Sequence, residues 1–419
     1  MSRERVAVVG AGVAGLTAAY LLQRRYDVTL FECEPRLGGH AHTHDVLTAD
    51  AGLLAVDTGF LVHNADTYPR LIQLFAELEV ATRPTEMSMS VSCAQCGLEY
   101  AGARGLTGLF PTAGALGRAR YLRMLTEVPR FHRAARRHLA SGDDSTTLGE
   151  FARAQRHSAY FVSHFLVPLV SAVWSAAPGD SLRYPARYLF AFLSNHGALS
   201  VTGSPQWRVV VGGSRTYVER AAKQLTAVRD STPVRTIARH PDGVTIRDDG
   251  DDRHEFSRVV IATHADTALS LLADPTAAET KALGAFGYSS NPTVLHTDTS
   301  VLPRSRNARA SWNYRLPSCA AATDHVTVSY DLTRLQHLPT AVPHLATLNP
   351  GGQIAAEAMI SEMTYEHPIF TRESVAAQAL LPALNTARTA YAGAYHGWGF
   401  HEDGCRSGAQ AAASFGASW

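Results

Sequence analysis

Three glycines spaced as Gly10-Ala-Gly12-Val-Ala-Gly15 follow directly on an apolar run at residues 6–9. Glycine in this pattern has three uses. The first makes a tight turn, the second lets the backbone approach a diphosphate, and the third lets a helix pack closely on a strand. A diphosphate would rest at the start of the next helix, where free N–H groups and the helix dipole favour negative charge. Glu32 closes a second apolar run downstream, placed to accept hydrogen bonds from a ribose hydroxyl pair. The glycine spacing alone is equally a small-residue turn. It gains meaning only when strand, turn, helix, strand and acid come in order.

They do come in order here. Residues 6–9 read as a strand, and residues 13–25 as a helix with Leu16, Ala19, Tyr20 and Leu22 at helical spacing. Arg24 and Arg25 suit the negative end of that helix. Residues 28–31 are β-branched and apolar, which completes a β-α-β unit. Further on, Leu71, Ile72, Leu74, Phe75 and Leu78 predict a helix over 67–79. Residues 86–100 alternate as strands around a turn at Cys93-Ala-Gln-Cys96-Gly97, and residues 106–195 are mostly helical. Strand character returns at 207–211, at 244–247 between the turns Asp242-Gly243 and Asp249-Gly250, and at 259–263. Strands at 294–296 and 326–330 and a strand-to-helix passage over 391–413 complete the chain, without repeats or an evident linker.

After Glu32 the sequence continues Cys-Glu-Pro-Arg36-Leu-Gly38-Gly39. At this point it resembles FAD-binding flavoproteins of the amine-oxidase and phytoene-desaturase type, along nearly its whole length. The resemblance implies an α/β fold. A Rossmann-like FAD-binding domain of the glutathione-reductase kind would be assembled from 1–80, 205–285 and 385–419, with an inserted α+β substrate domain from 81–204 and 286–384. It implies FAD as cofactor, bound by Gly10, Gly12, Gly15, Glu32, Arg36, Gly38 and Gly39. Gly59 and Phe60, in Val56-Asp57-Thr58-Gly59-Phe60, would line the flavin, and Val234 would lie beside the adenine. Gly212-Gly213-Ser214-Arg215 looks like the segment re-entering the cofactor domain. Gly393, then Glu402, Asp403 and Gly404, match the family's final flavin motif, where a helix start faces the pyrimidine edge.

More narrowly, strings such as Pro205-Gln-Trp-Arg, Ser311-Trp-Asn-Tyr, Leu335-Gln-His-Leu and Gly399-Phe-His-Glu-Asp-Gly are similar to a flavoprotein subgroup associated with cyclopropane-fatty-acid-synthase-like methyltransferases. That implies an apolar unsaturated or branched acyl or polyketide substrate, carrier- or lipid-bound, with a methyltransferase as a possible partner.

Amine oxidases of this resemblance place a lysine near the flavin, on the strand after the returning one. The corresponding stretch, residues 288–296, has none, and Lys223 and Lys281 are the chain's only lysines. The expectation is therefore hydride removal from carbon, as C–C desaturation or double-bond isomerisation. Amine oxidation and an FAD-stabilised, non-redox scaffold are the alternatives. A base is needed for C–C dehydrogenation. The candidate catalytic residues are His401, Glu402 and Tyr395, with structural hydrogen bonding the alternative for His401 and structural anchoring the alternative for Glu402; His40 and His42 lie on the loop after the glycine pair.

No metal site is expected. His40, His42 and His44 lack a partner set, and a single Cys93/Cys96 pair needs two more ligands to hold zinc, so incidental cysteines in a hairpin turn are expected there. Five cysteines are too few and odd for a secreted disulfide framework. The 38 basic residues balance 37 acidic ones, which argues against nucleic acid. The longest apolar stretch, 161–174, is too short to span a bilayer and is broken by Ser163 and His164, so a cytoplasmic protein is expected. Trp174, Trp207, Trp312, Trp398, Tyr68, Tyr184 and Phe190 are candidates for an apolar substrate tunnel or for ordinary core.

Overall fold

In the computed structural model, residues 3–200, 205–320 and 325–419 are described; residue 204, where one segment of the substrate domain was expected to end, lies outside them. Five short strands form a parallel sheet: β1 (Arg5–Val9), β2 (Asp27–Phe31), β3 (Ala227–Arg229), β4 (Arg258–Ile261) and β5 (Thr389–Tyr391), in the order β3-β2-β1-β4-β5. Adjacent side chains of a strand point to opposite faces. In β1, Val6 and Val8 enter one apolar core, whereas Ala7 and Val9 enter another. Both faces are covered, which is why the strands read as continuous apolar runs.

Helix α1 (Val13–Leu22) is buried at every position except Tyr20, because it is clamped between β1 and a second helix, α2 (His401–Ser414). Glycines make that clamp possible. A Cβ on Gly408 would stand 2.2 Å from the Ala14 carbonyl oxygen, and one on Gly404 would stand 2.7 Å from Val13 Cγ1. The last helix of the chain thus seals the first.

A second, seven-stranded sheet runs Met359–Ile369, Gly287–His296, Leu345–Leu348, Thr327–Asp331, Trp312–Leu316, Met89–Cys93, Glu99–Ala101. Its pairings are antiparallel except that between Trp312–Leu316 and Met89–Cys93. Helices from Ala119–Ser141 to Ala186–Asn195 pack on this sheet through the largest apolar core, which includes Phe131, Phe161, Phe190 and Leu316. The helix expected at 67–79 forms over Pro69–Glu77, with proline at its first turn, where its missing N–H costs nothing. No helix among the described residues is long and apolar enough to cross a membrane.

Candidate active site

The glycine loop has the shape the spacing predicts. Gly10 has φ +100°, and a Cβ there would meet the Ala262 carbonyl oxygen at 2.8 Å. A Cβ on Gly15 would overlap the Gly10 oxygen at 1.8 Å, so this glycine is demanded by the protein's own packing. Gly12 differs. Nothing lies within 4 Å of a Cβ built on it, and no side chain caps the helix it opens. An open position before an uncapped helix start is what a diphosphate requires. Glu32 reaches back to this loop, its carboxylate accepting from the Ala11 N–H at 2.8 Å and the Glu34 N–H at 3.0 Å.

The Arg36-Leu-Gly38-Gly39 string folds over the same loop. Gly38 donates its N–H to the Ala11 oxygen at 2.9 Å, and Arg36 donates to the Gly39 oxygen at 2.7 Å. Val234 opens a strand just after Thr232, whose N–H bonds to the Glu32 oxygen at 2.8 Å. This brings Val234 to the Glu32 side of the loop.

Asp57 joins two strings that are far apart in sequence. Its buried carboxylate accepts from the Ser214 N–H at 2.9 Å, the Ser214 hydroxyl at 2.7 Å and the Thr43 hydroxyl at 2.6 Å. Burial pushes this carboxyl up to about 6 despite those donors. Gln336 clasps the Asp57 backbone, accepting from its N–H at 2.9 Å and donating to its oxygen at 2.7 Å. Beside it, a Cβ on Gly59 would stand 2.2 Å from the His40 oxygen, and Phe60 donates its N–H to that oxygen at 2.7 Å.

In the final motif, the Glu402 carboxylate accepts from the backbone N–H groups of Arg70 at 3.1 Å and Leu71 at 3.0 Å, an anchoring role that stands beside the catalytic one the sequence suggests. It caps the helix Pro69–Glu77 and ties it to α2. Asp403 is likewise occupied, accepting from the Phe400 N–H at 3.1 Å and from Arg406 at 2.7 Å. His401 stacks on Phe60 with centroids 3.8 Å apart and shares a 3.1 Å hydrogen bond with the Tyr217 hydroxyl. Burial lowers its imidazole to about 3, so it is neutral at physiological pH. Tyr395 lies against Phe286 at 5.2 Å, its buried hydroxyl without a partner among the described residues. Gly393 exchanges hydrogen bonds with the Ser407 hydroxyl. The Cys405 thiol faces Thr17 of α1 at 3.5 Å, inside the helix–helix contact.

A polar wall forms where sequence reasoning saw only part of it. His40 lies 5.2 Å from the Tyr365 ring and 5.4 Å from His367. Its Nε2 is buried and has no partner among the described residues. Burial and the neighbouring His367 hold His40 well below the usual imidazole range. His42 meets the Tyr365 hydroxyl at 3.1 Å, and the Thr58 hydroxyl meets it at 2.6 Å. Tyr365 and His367 were missed because their relation to His40 depends on how Met359–Ile369 pairs with Gly287–His296. The latter strand carries no lysine; Lys281 and Lys223 are exposed elsewhere.

An aromatic cluster, partly buried core, lies beside the start of α2. Trp174 packs on Phe192 at 4.7 Å and Tyr184 at 5.4 Å, and its indole N–H donates to the Trp398 oxygen at 2.8 Å. Phe192 stacks on Phe400 at 5.1 Å, one residue before α2, and Trp207 lies 6.5 Å from Tyr68. Two of the sequence candidates lie elsewhere: Trp312 pairs with Tyr330, and Phe190 packs among Phe131 and Phe151.

Comparison with known proteins fits this arrangement. The profile of flavin-containing amine oxidoreductases matches residues 13–325. Tryptophan 2-monooxygenase of Allorhizobium ampelinum is 52% identical over 44 residues, which are 10% of this chain and only 6% of that protein. A putrescine oxidase mutant redesigned in cofactor binding superposes with a TM-score of 0.70 at 18% identity, over 99% of both chains. A fatty acid isomerase from P. acnes that produces CLA does so with a TM-score of 0.67 at 16% identity, over 97% of both. At such identities the likeness is one of fold. The open Gly12 cradle, the uncapped α1 and the folded-over Arg36 string suit a flavin dinucleotide, and the chain belongs to the flavin-containing amine oxidoreductases, an FAD-dependent class of oxidoreductases, with FAD as its cofactor.

Proposed function

We propose that the protein removes hydride from carbon in an apolar unsaturated or branched acyl or polyketide chain, ending in C–C desaturation or in double-bond isomerisation. The observation that carries this reading is the aromatic cluster beside the start of α2, where half-buried Trp398 and Phe400 pack on buried Trp174 and Phe192 and present apolar surface to a chain. The lysine-free strand Gly287–His296 supports it. The cofactor supplies the hydride acceptor. In this proposal the cofactor domain is 1–80, 205–285 and 385–419, and Gly10, Gly12, Gly15, Glu32, Arg36, Gly38 and Gly39 hold the dinucleotide. Gly59, Phe60, Val234, Gly393 and the start of α2 complete that surface. His40, neutral and with Nε2 unpartnered among the described residues, handles the proton. Phe60 and the aromatic cluster keep water out.

A carrier- or lipid-bound substrate and a methyltransferase partner belong to the same proposal, as implied by the motif strings rather than by geometry, and so does a cytoplasmic location, from the short apolar stretch and the sparse cysteines. Amine oxidation is the second reading, favoured by the family profile and the putrescine oxidase fold. Anaerobic mixing of the yellow protein with unsaturated acyl substrates and, separately, with amines decides between them. Bleaching with acyl substrates and a product lighter by two hydrogens establishes desaturation. An acyl product of unchanged mass establishes isomerisation. Bleaching with amines alone overturns the reading.

A further inference from the structure

The Cys93-Ala-Gln-Cys96-Gly97 turn closes the hairpin between Met89–Cys93 and Glu99–Ala101, at the edge of the seven-stranded sheet opposite Met359–Ile369 and its Tyr365 and His367. Two further ligand-type side chains converge on it. Cys319 comes from the loop after Trp312–Leu316, 226 residues from Cys93, and His164 from a helical turn 68 residues beyond Cys96. The three sulfurs and one imidazole nitrogen all lie within 4.8 Å of one another. Cys93 Sγ stands 3.8 Å from Cys319 Sγ, and Cys96 Sγ stands 3.6 Å from His164 Nε2.

Those separations have a simple meaning. A tetrahedral zinc with bonds of about 2.3 Å to sulfur and about 2.0 Å to nitrogen holds its ligands about 3.8 Å apart for two sulfurs and about 3.5 Å for sulfur and nitrogen. A disulfide would need the sulfurs at about 2.05 Å. All five cysteines are free, and Cys33 and Cys405 lie elsewhere.

We infer that Cys93, Cys96, Cys319 and His164 form a structural zinc site. Four protein ligands leave no open position, so the ion acts as a staple and not as a catalyst. Three thiolates and one imidazole around a single ion suit zinc among the common divalent metals.

The surroundings prepare each ligand. His164 Nδ1 is 3.1 Å from the Tyr160 carbonyl oxygen and 2.7 Å from the Ser163 hydroxyl, both able to accept a proton carried on Nδ1, the tautomer that leaves the Nε2 lone pair for a metal. The Tyr160 ring stacks on His164 at 4.0 Å. His164 lies in Val162–Leu166, a π-helical turn in which Val167 bonds back to the Val162 oxygen, a local widening of the helix. Gly97 has φ +64°, which lets the chain reverse immediately after Cys96. Gln95 accepts from the Cys319 N–H at 2.7 Å and pins that loop to the turn. A surface recess beside Tyr160, His164 and Cys319 gives an ion a path in. The staple would join three segments that no other covalent or coordinate link connects among the described residues: hairpin, helical layer and the loop after Trp312–Leu316.

The test is elemental analysis of the purified flavoprotein, prepared without chelators, alongside its flavin content. About one zinc per chain is expected, falling to background in Cys96→Ser and Cys319→Ser. Because those variants can lose their fold, thiol titration of the intact wild-type protein provides a second measure. Three thiols should stay protected until a mercurial reagent releases zinc to a chromophoric chelator. Flavin-loaded protein that contains no zinc and takes none up when zinc is added overturns the inference. So does a Cys93–Cys319 disulfide found by mass spectrometry, or stoichiometric iron in place of zinc.

Discussion

Leu71 donates its backbone N–H to the Glu402 carboxylate at 3.0 Å, across 331 residues of sequence. The helix Pro69–Glu77 is thereby capped by an acid from the first turn of α2, the turn whose His401 stacks on Phe60. Glu402→Ala leaves the N–H groups of Arg70 and Leu71 without their acceptor, at a cost of about 1–3 kcal/mol. Melting temperature and flavin retention should fall together. The rate of bleaching per bound flavin should stay within about twofold, because the side chain makes no transition-state contact in this reading. A loss of rate in flavin-loaded protein would return Glu402 to the chemistry.

Gly12 and Gly15 should answer differently to the same substitution. Gly15→Ala puts a methyl group 1.8 Å from the Gly10 oxygen and should prevent folding of the β-α-β unit. Gly12→Ala meets no protein atom within 4 Å and should give a folded but pale protein, since the methyl group occupies only the diphosphate approach. Circular dichroism and flavin absorbance on both variants check this.

His401 makes stability depend on pH. Its folded-state value is about 3, below the ordinary 6.5, so the unfolded chain takes up the proton first. The group's contribution is intact above about 6.5 and is lost as pH falls toward 3, by about 1.4 kcal/mol per unit. His401→Phe keeps an aromatic ring for Phe60 and gives up the Tyr217 bond. It should be less stable than wild type at pH 7.5, with the gap narrowing by about 2 kcal/mol at pH 5. Denaturant titrations at the two pH values measure the gap.

His40→Ala removes the buried imidazole whose Nε2 has no partner among the described residues. If it handles the proton, bleaching by acyl substrate should slow by about 10²–10⁴-fold with flavin still bound. An unchanged rate would assign the proton to another group.

Trp398→Ala removes an indole that lies 5.8 Å from Phe192 and 6.4 Å from Tyr188. Losing about 1.5–3 kcal/mol of apolar contact should raise the substrate concentration for half-maximal bleaching about 10–100-fold. Short-chain substrates that do not reach the cluster should be affected less.

The β-α-β unit was legible in the sequence because its causes are local. Glycine conformation, the alternation of β1 and the apolar spacing of α1 act over a few residues, and the chain must satisfy them wherever it folds. The strings around Asp57, Ser214 and Gln336 were visible too, but not that they clasp one another. Contacts over long separations are another matter. Glu402 stands in a motif that suggests chemistry, yet the nearest uncapped helix start claims its carboxylate. Cys93 and Cys96 look incidental until strand pairing and a π-helical turn deliver Cys319 and His164. His40 meets Tyr365 and His367 only through the register of Met359–Ile369 on Gly287–His296. Sequence determined which elements form and which loop can hold a diphosphate. Tertiary structure decided which polar group each side chain meets, because buried donors and acceptors must find partners among whatever packing brings near.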